Sequence, residues 1–135
     1  LEFFCIPDSN NSIYYNLELN CIGKGTFAGG AQRTDRTRFT DEVLSQIRRH
    51  STLGSEPFGT KESNDEPFEY TLTVAIPLKL YSLSQMEPLK GRTIKANFYK
   101  CGDEMPQKHY FSWNPIGTER PNFHTPQYFG ELFFE

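Results

Sequence analysis

At 135 residues the chain is the size of one domain, 1–135, with room for one principal core. Lysine and arginine number 14 against 17 aspartates and glutamates, a net charge of −3, which argues against a protein that grips nucleic acid by neutralising phosphates. No apolar run approaches the roughly 18 residues of a membrane-spanning helix, and 12 Phe, 7 Tyr and 1 Trp supply enough ring surface for a packed core, which excludes disorder as the main state.

Leu1 to Ile6 reads as a strand, and an apolar strand at the very start, with no initiator Met or signal peptide, implies a domain that begins further upstream. Pro7-Asp8-Ser9-Asn10-Asn11-Ser12 is turn chemistry. Tyr14 to Cys21 then alternates, with Tyr15, Leu17, Leu19 and Cys21 expected inside and Tyr14, Asn16, Glu18 and Asn20 outside, so the two segments form an antiparallel hairpin. Thr26 to Ala31 is a weaker, glycine-rich strand. A helix follows: Thr40 caps it, Asp41 and Glu42 occupy the first turn, Val43, Leu44 and Ile47 form a stripe, and Arg48, Arg49 and His50 close it. Gly54 to Glu66 is a polar surface loop.

Phe68 to Ile76 carries the clearest period of two, with Phe68, Tyr70, Leu72, Val74 and Ile76 on one face, and Pro77 ends it. Thr93 to Lys100 is a further strand with Ile94, Ala96 and Phe98 facing the core; Tyr110 to Trp113 and Leu132 to Phe134 are short ones. Short strands, frequent turns and one helix predict an all-β fold, an antiparallel β-sandwich with one short inserted helix. The three cysteines, Cys5, Cys21 and Cys101, lack metal-ligand spacing; a Cys21–Cys101 disulfide and three free thiols both stay open.

The last third concentrates unusual residues: the single Trp113, His109 and His124, and a run of rings. The segments Glu2-Phe3-Phe4, YYNLELNCIG (14–23), IRRHSTLG (47–54), ANFYKCGD (96–103), HYFSWNP (109–115) and FHTPQYFGELFFE (123–135) resemble, in order and over nearly the whole chain, the family 9-like carbohydrate-binding modules, in the branch found in Bacteroidetes. The resemblance implies a jelly-roll-like sandwich, non-catalytic, that binds an oligo- or polysaccharide. It also implies a secreted, periplasmic or surface location, often beside a glycan-degrading enzyme. The family's N-terminal strands would precede Leu1.

Sugar sites pair a ring, which covers the C–H face of the saccharide, with planar side chains that read hydroxyls in fixed directions. Trp113 and Tyr99 as rings, with Asn97, His109 and Glu18 as hydrogen-bonding partners, fit that recipe. The rival is a structural or protein-interaction sandwich without a sugar site. His124 reads as a residue that fixes the last loop, and Gly130 as a backbone device before the last strand. Glycosidase chemistry needs two carboxylates at a set separation, and nothing in the spacing pairs Glu18, Asp103, Glu104 or Glu131. Ser112 lacks a nucleophile elbow, and Met105 with His109 is a poor haem pair because the two sit in a loop. No cofactor is expected. Modules of this kind can hold a structural calcium, for which Asp8, Asn10 and Asp103 are the candidates.

Overall fold

In the computed structural model, which describes residues 1–59 and 68–135, nine strands form two antiparallel sheets. They are β1 (Glu2–Ile6), β2 (Tyr14–Leu19), β3 (Gly25–Gly30), β4 (Thr37–Arg38), β5 (Arg48–Ser51), β6 (Leu72–Ala75), β7 (Thr93–Gly102), β8 (His109–Ser112) and β9 (Gly130–Phe133). The large sheet runs β4-β3-β2-β1-β7-β8, with β9 also paired to β7; β5 and β6 make the small one. The β-sandwich expected from the alternation is the fold.

The turn Pro7 to Ser12 joins β1 to β2 as predicted, because Asp8 accepts from the Asn10 amide at 2.9 Å and Asn11 accepts from the Ile13 amide at 3.0 Å. Register then places Phe3 opposite both Leu17 and Phe98, and Cys5 opposite Tyr15 and Ala96. One face of the large sheet therefore carries Cys5, Tyr15, Leu17, Leu19, Phe27, Ile94 and Ala96 into the main core, against Ile47, Leu80 and Tyr81 of the covering layer. Tyr15 stacks with Phe27 and Phe39 and meets Tyr81 edge-on.

The opposite face is buried as well. Phe4, Tyr14, Tyr99 and Phe129 form a second core with Ile6, Ile116 and Phe123, roofed by the segment that follows β8. Tyr14 and Asn16, expected outside, are consequently buried, and so is Asn97. In β7 the alternation holds, but Phe98, on the main-core side, is 43% exposed where the covering layer stops short.

Two elements differ from their predicted form. The helix α1 spans only Asp41–Ser45; Thr40 Oγ1 caps it through the Val43 amide at 3.4 Å, but Arg48 to Ser51 is strand, paired with Leu72 to Ala75. The partner strand is four residues long, and so β6 occupies only Leu72–Ala75 of the longer alternating segment. Of the polar loop Gly54 to Glu66, residues 54–59 carry no regular structure and 60–66 lie outside the described residues. Cys5, Cys21 and Cys101 are free thiols, and of them only Cys5 is buried.

Tyr15 Oη accepts from the Leu83 amide at 2.8 Å and donates to Ser84 Oγ at 3.3 Å, which ties the chain after Leu80 onto β2. Tyr15→Phe keeps the ring and strands the Leu83 N–H, and should cost about 1–3 kcal/mol of unfolding free energy in denaturant titration.

Candidate functional site

A polar cleft of about 270 Å³ lies at the second-core face, where the ends of β1, β2 and β7–β8 meet the segment 121–124. Its rings are Tyr110 and Phe123, with centroids 6.3 Å apart and planes at 70°, forming a corner. Phe123 is held from below by Tyr99, stacked at 4.2 Å with planes only 7° apart. Its polar groups are Glu2, Glu18, Arg33, Asp103, Asn122 and His124.

Register explains the carboxylates: Glu2 and Glu18 are directly opposite on β1 and β2, and their side chains share one face. Glu18 is oriented by a relay. Arg36 Nη2 donates to Asn16 Oδ1 and, at 3.1 Å, to the Tyr14 carbonyl, while Asn16 Nδ2 donates to Glu18 Oε1 at 2.7 Å. The Arg36 guanidinium lies 4.1 Å from the Tyr14 ring centre, a cation–π contact that fixes its position. Burial, reinforced by Glu18, raises the Glu2 carboxyl to about 7. His124 is lowered to about 4 by burial and by Arg36 and Arg33; its Nδ1 shares a 2.9 Å hydrogen bond with Tyr14 Oη, and its ring packs on Phe4. At neutral pH the cleft thus combines an uncharged imidazole and a carboxyl near its midpoint with the side chains of Glu18, Asp103, Asn122 and Arg33.

The residues singled out from sequence are dispersed around this cleft. Glu18 lines it. Tyr99 lies beneath it, 2% exposed, as the support for Phe123 and not as an open ring. Asn97 is fully buried: its Nδ2 donates to the Asn114 carbonyl at 3.0 Å, and its Oδ1 accepts from the Asn114 amide at 2.8 Å and the Phe98 amide at 3.0 Å. It therefore fastens the chain after β8. His109 projects to the other face of β8, beside Lys100 and 5.5 Å from the Phe111 ring, with Nδ1 2.8 Å from the Gln107 carbonyl.

Trp113 is 52% exposed but stands on the main-core side, edge-on to Phe98 at 5.8 Å. Gly130 is required there for space, not for its backbone angle. Its φ is not positive, and a Cβ would come within 2.9 Å of the Trp113 ring. Arg33, Arg36, Asn122 and the Tyr110–Phe123 corner were not found by sequence reasoning. The available signal was the alternation of β2, which puts Asn16 and Glu18 on one side of a loop carrying two arginines.

Of the carboxylates weighed for acid–base chemistry, Glu18 and Asp103 share the cleft. Glu131 pairs with Lys95 at 2.9 Å, away from Glu18 and Asp103. Asp8 is engaged by Asn10 and Asn11 in its own turn, distant in the chain from Asp103 in the cleft. Among the described residues no three His, Cys, Asp or Glu side chains gather as a metal-binding group.

With this geometry in place, comparison with known proteins gives the class. The model of carbohydrate-binding family 9 matches residues 1–134, and the chain belongs to that family. It is also similar to the crystal structure of a candidate carbohydrate-binding protein from Bacteroides uniformis ATCC 8492, at 40% identity and TM-score 0.78, over 99% of this chain and 60% of that one. This chain thus spans less than two thirds of that protein's length. No curated protein matches. Carbohydrate-binding modules are typically non-catalytic, and among the described residues no helix is long and apolar enough to cross a membrane.

The two shifted groups give opposite pH trends. His124, lowered in the fold, resists protonation, so stability falls as pH drops below its unfolded value of about 6.5. Glu2, raised in the fold, favours protonation, so its contribution is present below about 4.5 and is lost as pH rises through about 7. Glu2→Gln should therefore raise Tm at pH 8 and leave it nearly unchanged at pH 4.5, as read by calorimetry.

Proposed function

We propose that the protein binds saccharides without transforming them, and that the cleft beside Tyr110 and Phe123 is where a sugar ring lies. The observation that carries this reading is the ring corner set against aligned hydroxyl-readers: Tyr110 is 40% exposed, and Glu18, Asn122 and Arg33 share its cleft. A sugar's C–H face covers the exposed ring and sheds water, while its hydroxyls donate to Glu18 and accept from Arg33 and Asn122. Glu18 suits the task because the Arg36–Asn16 relay holds it before any ligand arrives, so little ordering is left for binding to impose. Affinity for one module is modest, since each hydroxyl exchanges water for protein at small net gain. Multiplicity on a polymer, or attachment to a glycan-degrading enzyme, supplies avidity.

This role suits a secreted or surface protein of glycan utilisation. The exposure of Trp113 favours a second reading, in which the indole is the platform. That face offers rings but few hydroxyl-readers, and the cleft is preferred for that reason.

Glycan-array screening followed by titration calorimetry separates the two. Tyr110→Ala should weaken binding of the best glycan by about tenfold or more with Tm unchanged, as expected for the loss of one stacking ring. Trp113→Ala should leave affinity within about twofold. The opposite pattern moves the site to the indole, and binding to no glycan leaves a scaffold. Prolonged incubation with a bound oligosaccharide should release no new reducing ends.

A further inference from the structure

The cleft beside Tyr110 and Phe123 is lopsided in charge. The Glu2 carboxyl feels the charges of Glu18, the Leu1 amine and Asp103, whereas the His124 ring feels those of Arg36 and Arg33. One end is therefore acidic and the other basic, with Glu18 between them, since it acts on Arg36 as well. At the acidic end Glu2 is left over. Asn16 takes up one oxygen of Glu18, but among the described residues nothing donates a hydrogen bond to the Glu2 carboxylate or forms an ion pair with it. The Leu1 amine donates instead to the Leu19 carbonyl at 2.6 Å. Burial and the facing Glu18 hold the Glu2 carboxyl up at about 7, because like charges directly opposite on two strands repel.

We propose that the saccharide this cleft takes is an amino sugar, whose free amine lies as an ammonium between Glu2 and Glu18. The inference rests on reading the cleft as the sugar site. Two carboxylates by themselves make a solvated patch, but these stand beside the Tyr110–Phe123 corner. One hexosamine ring can therefore cover a ring face and reach both acids at once. An ammonium brings three donors and a positive charge, and hydrogen bonds of that kind are roughly twice as strong as neutral ones. A metal ion is the rival cation, yet among the described residues no three His, Cys, Asp or Glu side chains gather to hold one. The basic end, with Arg33 and Asn122, is left for the hydroxyls. N-acetylation removes the charge and leaves a single N–H, and a uronate or sulfate sets like charge against the acids.

The test is titration calorimetry near pH 7 at about 0.15 M ionic strength, where contacts at long range are screened. The probes are tetrasaccharides of glucosamine and of galactosamine, each as the free amine and N-acetylated. For one of the two sugars the free amine should bind about tenfold tighter or more than its acetylated form. Glu2→Gln should shrink that preference to about twofold or less. Glu131→Gln loses the same charge at a carboxyl paired with Lys95 outside the cleft, and should leave the preference as it was. Equal affinity for amine and acetylated forms overturns the proposal, as does a preference that survives Glu2→Gln. A preference reduced equally by Glu131→Gln overturns it too, since overall charge then accounts for it. Saccharides that bind with no gain from the amine remove this inference and keep the cleft as a sugar site; binding of no saccharide removes both.

Discussion

Aromatic rings bury both faces of one antiparallel sheet, and the other features follow from where those rings are placed. Tyr15 and Phe27 turn toward the main core, whereas Phe4, Tyr14 and Tyr99, on adjacent strands, turn the other way. Burial on the second face requires a roof, which the chain after β8 provides through Ile116, Phe123 and Phe129. That roof is fastened by a fully buried amide, since Asn97 bonds both the N–H and the carbonyl of Asn114. The cleft exists where the roof ends. Its ring corner is the exposed margin of the second core, and its carboxylates are the polar ends of the strands beneath. Structure and recognition therefore share the same rings: Tyr99 steadies Phe123, and Phe123 presents its edge to Tyr110.

Much of the architecture was legible in the alternation itself. The pairing of β1 with β2 followed from two apolar-alternating segments around Asp8 and Asn11, and the cap at Thr40 followed from its place before Asp41 and Glu42. What the alternation does not encode is which side of a strand meets solvent when both sides are covered. Tyr14 and Asn16 read as outward for that reason. The arginines after Val43 and Leu44 read as a helix end because their charges suit one; pairing with β6 instead draws them into a strand.

The site was less legible because its residues come together only through register and a loop. Residue type pointed to Trp113, Tyr99, Asn97, His109 and Glu18, and the fold distributes these over a cleft, the buried face beneath it and the opposite face of the sheet. Asn97 illustrates the difficulty. The donors and acceptors that suit it for a sugar also suit it for closing a loop, and only burial distinguishes the two uses. Arg36 has no sequence signature at all, since its partners are backbone carbonyls and an amide twenty residues earlier.

The Arg36 relay also bears on how such a cleft can diverge among relatives. Its anchor is sheet-borne: Asn16 and the Tyr14 carbonyl lie on β2, and the Gly30 carbonyl ends β3. Arg33, which reaches the cleft, belongs to the short connection between β3 and β4, outside any strand. Arg36 itself lies in the same connection, so insertions or exchanges there would retune ligand preference and the orientation of Glu18 together while the strands stayed constant. The cation that reaches the cleft and the one that orients its carboxylate are thus carried by one short stretch of chain, and drift there alters both at once.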